Sequence, residues 1–123
     1  MTLGELYAAI GGNYEDALAR LALDALIERI LGKFLDDTTC PDVIEAWNNG
    51  DEAAAFEAAH AAKGVCMNLA FVRLGALASE ITEALRPGNE ALRASIDVDA
   101  LVSELAAEYE LVRSNVSAYL EAR

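Results

Sequence analysis

The chain has 123 residues, of which 54% are hydrophobic, and a formal net charge of −12 at pH 7. This length suits one domain with a single core, and so large an apolar fraction excludes disorder. The acidity excludes nucleic acid and anionic lipid as natural docking surfaces, because like charges repel.

Ala, Leu and Glu are abundant, only two prolines interrupt the chain, and no strand-like alternation occurs, which predicts an all-α fold. Thr2–Ile10 reads as a short amphipathic helix that stops at Gly11-Gly12. Asn13 caps a turn into a longer helix carrying Leu18, Leu21, Ala25, Ile30 and Phe34 near helical spacing, which ends around Asp36-Asp37. Thr39-Cys40-Pro41 restarts a short helix, since Pro is favoured in a first turn, and Asn48-Asn49-Gly50 ends it. Asp51 opens the segment that holds His60 and runs to about Met67. The next helix bears Leu74, Leu77, Ile81 and Leu85 and stops before Pro87-Gly88. A loop is expected over Pro87–Ile96. The last helix starts near Asp97, an N-cap, with Asp99 favourable in its first turn. Its apolar positions, Val98, Val102, Leu105, Tyr109, Val112, Val116 and Tyr119, alternate steps of four and three and form a bundle seam. Short connections make long neighbours antiparallel. The expected architecture is a single domain over residues 1–123, an antiparallel four-helix bundle with extra short N-terminal helices. A monomer is expected, because four long helices close one core by themselves.

No run approaches the roughly 18 apolar residues of a membrane span. The opening Met1-Thr2-Leu3-Gly4-Glu5-Leu6 lacks the basic start and apolar run of a signal peptide, so the cytoplasm is the expected compartment. The initiating methionine and compact length favour a stand-alone protein. Cys40 and Cys66 lack metal-ligand spacing and read as reduced, structural thiols. A hydrolytic triad is hard to assemble, since His60 is the only histidine that could serve as its base.

On a helix turning about 100° per residue, Ala55, Ala58, Ala59, Ala62, Val65, Cys66 and Leu69 fall about 140–260° from His60. All seven are apolar, so this arc is the buried face and the imidazole points toward water. Within about 60° of His60 lie Phe56, Glu57, Lys63, Gly64 and Met67, and Phe71 joins them if the helix runs on. An outward face that joins apolar side chains to an imidazole and an ammonium reads as a docking surface. Each residue also has a plainer reading. The histidine is idle on a solvated face, Lys63 pairs with Glu57 or Glu52, and Phe56 and Met67 tuck against a neighbouring helix. Gly64 costs roughly 1 kcal/mol relative to Ala in an exposed helix. It serves either to clear an approach to His60 or to permit tight helix packing.

The stretch Ala59-His60-Ala61-Ala62-Lys63-Gly64-Val65-Cys66-Met67-Asn68-Leu69-Ala70-Phe71-Val72-Arg73-Leu74 resembles the histidine-phosphotransfer (HPt) motif. That motif is His, then Lys three on, Gly four on, and an apolar helix start beyond. Leu77, Ala78, Ile81 and Leu85 resemble the family's following helix, so the likeness covers residues 50–86 well and the rest through its helical layout. His-x-x-Lys-Gly alone is a weak motif. Its placement opposite the core makes it more specific. Ala62 stands where many members have a larger apolar residue, and Ala70 where Gly is common.

The resemblance implies that His60 is the phosphoacceptor, that Lys63 favours the phosphoryl group and that Gly64 gives access. It implies a phosphorelay intermediate that accepts a phosphoryl group from a receiver-domain aspartate and passes it to another. The implied partner is the receiver domain of a response regulator or hybrid kinase, docked on Phe56, Glu57, Gly64, Met67 and Phe71. No ATP-dependent kinase activity, cofactor or metal site is implied, and magnesium would come from the receiver's acidic pocket. The alternatives are a non-phosphorylated helical adaptor docking through the same face, and a small helical enzyme or cofactor carrier using His60. The last lacks a second convergent polar group.

Overall fold

A computed structural model describes residues 1–123 as eight helices. They are α1 (Leu3–Ala9), α2 (Tyr14–Leu21), α3 (Asp24–Asp36), α4 (Thr39–Asn48), α5 (Glu52–Leu69), α6 (Val72–Leu85), α7 (Glu90–Ser95) and α8 (Val98–Glu121). Several starts are fixed by short polar side chains that satisfy a free amide of the first turn. Asn13 accepts from Asp16 N at 3.0 Å, Asp51 from Ala54 N at 3.0 Å and Asp97 from Ala100 N at 3.1 Å. Thr2 and Glu5 form a reciprocal capping box on α1.

The bundle closes through α4, α5, α6 and α8, each packed on the next. At one pole Trp47, near the end of α4, donates to Asp99 at the start of α8 (2.6 Å), and Arg93 of α7 pairs with Glu52 at the start of α5 (3.1 Å). Toward the opposite pole, Arg73 at the start of α6 pairs with Glu108 in mid-α8 (2.8 Å). So α4 and α6 run one way, and α5 and α8 the other. At 24 residues α8 is about 36 Å long. Its first half completes the bundle, and its second half carries Tyr119, whose hydroxyl donates to Glu28 of α3 at 2.7 Å.

Three expectations are corrected here. The single long helix over residues 13–36 is broken at Ala22, which adopts φ +71°, and the chain restarts at Asp24. Its buried stripe is Ile27, Leu31 and Phe34, while Ala25 faces water. Consequently α4, expected to be a short accessory, is itself a wall of the bundle. The Pro87–Ile96 loop contains α7, a helix of six residues with none buried. The seam of α8 holds, with Val98, Val102, Leu105, Val112, Val116 and Tyr119 buried and Tyr109 partly so.

One core runs from Leu3 to Tyr119 and joins the N-terminal helices to the bundle. Gly11 and Gly12 make that junction. Asn13 N donates to Ala70 O (2.9 Å), Arg73 N to Gly11 O (3.0 Å), and the Tyr7 hydroxyl to Leu69 O (2.9 Å). A Cβ on Gly12 would lie 2.7 Å from the Tyr7 ring and 3.0 Å from Ala70 O, so only glycine fits between them. No helix is long and apolar enough to cross a membrane. Cys40 and Cys66 are free, buried thiols on α4 and α5. The neighbouring Cys40 thiol and burial push the Cys66 thiol well up, which keeps it protonated and inert.

Candidate functional site

α5 presents a buried face of small side chains, Ala55, Ala59, Ala62 and Cys66, ending in Leu69. Small residues let α4 and α6 approach closely on both sides, and they also fix the rotation of α5 about its axis. With that face inside, His60 stands on the outer surface, exposed and without a hydrogen-bond partner. Phe56, one turn earlier, is half-buried, and its ring lies 6.3 Å from the imidazole at an interplanar angle of 21°.

One turn after His60, the half-buried Lys63 makes no ion pair, whereas six of the arginines do. Gly64 is exposed, and a Cβ built there would meet nothing within 4 Å. Tight helix packing therefore does not account for this glycine. Met67 is 51% exposed and Val72 58% exposed. Between them opens a cleft of about 300 Å³, walled by Lys63, Gly75, Ala76 and Ser79 and edged by the Asp16–Arg20 ion pair. Glu57 lies on the opposite flank, in an acidic groove with Asp42, Glu45 and Asp51.

Phe71 reaches only the floor of this cleft and does not stand on the outer face. α5 ends at Leu69 because Ala70 turns left-handed (φ +57°, ψ +38°), which breaks the helical phase before residue 71. Phe71 then points inward, 1% exposed, with its ring 5.1 Å from Phe34 and 5.8 Å from Tyr7. It is a core residue that anchors the α5–α6 corner, and its docking role is withdrawn.

Two residues beside the site escaped the sequence reading, Glu83 and Arg86 at the end of α6. Arg86 donates from Nε (3.2 Å) and Nη2 (2.8 Å) to Glu83 Oε2, and its guanidinium lies 5.4 Å over the Phe56 ring. That hydrogen bond holds the Glu83 carboxyl below the ordinary carboxylate range, and the charges of Arg86, Lys63 and His60 push the same way. Nothing local in the sequence marks these two. The antiparallel pairing of α5 with α6 brings the end of one helix beside the middle of the other.

An exposed imidazole with an unpaired ammonium one turn away can attack an electrophilic phosphorus and offset the charge on its oxygens. The chain gathers no group of three or more His, Cys, Asp or Glu side chains suited to a metal ion. Compared with known families, residues 22–115 match the model of the Hpt domain. No curated protein and no solved structure matches the chain. The matched span leaves out α1, α2 and the last turns of α8.

Proposed function

The chain belongs to the Hpt domain family, and on that premise we propose that His60 is the phosphoacceptor of a phosphorelay. The family's activity is histidine phosphotransfer in phosphorelay signalling, carried out with receiver domains and as a phosphoryl carrier rather than a kinase. The finer reading concerns this chain's own residues. The observation that carries it is the placement of the only histidine, exposed on α5 opposite a face of buried alanines, inside the family's matched span.

In the proposed step a receiver presents a phospho-aspartate to His60. One neutral imidazole nitrogen attacks phosphorus in line. The N–P bond forms as the P–O bond to the aspartyl carboxylate breaks, and the carboxylate leaves with the electron pair. Lys63, free of any carboxylate partner, offsets charge on the three phosphoryl oxygens as a point charge. Gly64 leaves the approach open, and Met67 and Phe56 supply apolar contact at its rim. Magnesium enters with the receiver. The reverse reaction delivers the group to the next aspartate. The proposal extends to a single, monomeric domain over residues 1–123, supported by the one core that joins both ends of the chain.

Transfer from a panel of phosphorylated receivers of the same genome, with His60→Gln as control, tests this assignment. Acid-labile, alkali-stable label on the parent and none on the variant, with helicity unchanged, is expected. Label retained in His60→Gln would sink the assignment. The exposure of Met67 and Val72 beside the cleft favours the adaptor as a second reading. An adaptor would bind its partner undiminished after His60→Gln.

A further inference from the structure

The end of α6 sets two opposite charges beside the His60 face. Arg86 is the C-cap of α6 and precedes Pro87, which holds its backbone extended (φ −60°, ψ +129°) and outside the helix. From there its side chain folds back along α6 to Glu83, at 2.8 Å, and over the Phe56 ring, at 5.4 Å. Phe56 in turn lies alongside the imidazole, its ring centre 6.3 Å away. One aromatic ring thus couples the guanidinium and the histidine. The Arg86 hydrogen bond first, and the charges of Lys63 and His60 after it, hold the Glu83 carboxyl below the ordinary carboxylate range.

Resting on the reading of His60 as phosphoacceptor, we infer that Arg86 and Glu83 are positioning residues that set the lifetime of the phosphoryl group in opposite directions. Arg86 is a second cation, held by Glu83 and seated over the Phe56 ring that lies beside the imidazole. A phosphoryl dianion on His60 competes with the Glu83 carboxylate for it. Glu83 opposes the same dianion by like-charge repulsion. The neutral pair therefore leaves the phosphohistidine neither strongly trapped nor rapidly lost, which suits a group that must be handed on.

The reaction that reads this out is hydrolysis. Water bonds to phosphorus, the P–N bond breaks, its electron pair returns to the imidazole nitrogen, and inorganic phosphate leaves. A cation near the phosphoryl oxygens stabilises the dianion and disfavours protonation of the imidazole leaving group, which slows this loss. An anion does the reverse. A unit charge within roughly one Debye length of a dianion, in a partly aqueous setting, changes such a rate by roughly three- to tenfold.

The experiment charges the full chain with a cognate phosphorylated receiver, removes the receiver and follows the phosphohistidine phosphorus signal at neutral pH. Arg86→Gln should shorten the lifetime roughly three- to tenfold, and Glu83→Gln should lengthen it by a similar factor. Arg86→Lys should restore part of the loss. The opposite signs are decisive, because a merely structural i,i+3 ion pair would be broken equally by either substitution. Changes of the same sign, or none beyond twofold in either variant, overturn the inference. If the parent takes no label from any cognate receiver, the reading of His60 itself fails. A labelled parent with insensitive lifetimes sinks only the role of this pair.

Discussion

Replacing Gly64 by Ala adds one methyl group to an exposed turn of α5, where no atom lies within 4 Å of the new carbon. Because the position is helical and open, the substitution relieves the backbone entropy of glycine without creating a clash. An interior helical Gly→Ala change is worth about 0.8–1.0 kcal/mol, so the variant should be more stable than the parent by close to that amount. For a domain of this size that corresponds to a rise in Tm of roughly 3–6 °C. The proposed transfer should respond the other way. Side chains at positions i and i+4 stand about 5–6 Å apart on one face, so the methyl projects beside the imidazole where a receiver must approach. Overfilling a close-packed contact costs about 1–3 kcal/mol, so Gly64→Leu should lose roughly five- to a hundredfold in transfer rate, with Ala in between. Denaturant titration and single-turnover transfer on the same preparations give both numbers. A destabilised Gly64→Ala would refute the open geometry at this turn. A stable Gly64→Leu that transfers at the parental rate would refute clearance as the reason for the glycine.

Gly12 makes the opposite case. A Cβ there lies 2.7 Å from the Tyr7 ring and 3.0 Å from Ala70 O, so Gly12→Ala should destabilise the fold by about 1–3 kcal/mol in denaturant titration. Unchanged stability would mean that the N-terminal helices do not seat on the α5–α6 corner as described. Alkaline titration tests the far end of α8. Burial, then the Glu28 carboxylate that accepts its hydroxyl at 2.7 Å, push the Tyr119 phenol up to about 12. A tyrosine in the unfolded chain ionises near pH 10, so the folded state holds this proton longer. The contribution of Tyr119 to stability is full below about pH 10 and is lost as pH rises through about 12. Tyr119→Phe should flatten that part of the stability profile, and an unchanged slope would mean that the phenol is not held as described.

Periodicity and punctuation made most of the fold legible. Gly11-Gly12, Pro87-Gly88 and the caps Asn13, Asp51 and Asp97 stand where the chain turns or a helix begins. The two hidden turns share a cause. Both Ala22 and Ala70 adopt positive φ, a conformation that costs an alanine roughly 1–2 kcal/mol and that sequence reading assigns to Gly or Asn. Ala22 concealed the break between α2 and α3. The sequence places the end of α5 near Met67, so Ala70 concealed only the sharp turn that follows Leu69. The second had a consequence for the site, because continuing the helical phase through Ala70 carried Phe71 onto the outer face when it is buried. α7 escaped because it buries no side chain and so leaves no apolar stripe to read. The outward direction of His60 was legible, since it followed from seven apolar neighbours on its own helix. Glu83 and Arg86 were not, because their approach depends on the register of α6 against α5, a tertiary fact with no local trace.

The far half of α8 returns the chain to where it began. Met1, Thr2 and Leu3 share one surface hollow with Tyr119 and Arg123, and Arg123 closes on Glu28 at 2.8 Å. First and last residues therefore sit side by side at one pole, while His60 faces sideways from the middle of α5. The order of helices in space is thus separable from their order along the chain. A short linker across that hollow would permit circular permutation, with new ends opened at the exposed Asn49-Gly50 or Pro87-Gly88 turns. Either opening cuts no helix of the bundle and leaves His60, Lys63 and Gly64 on one uninterrupted segment.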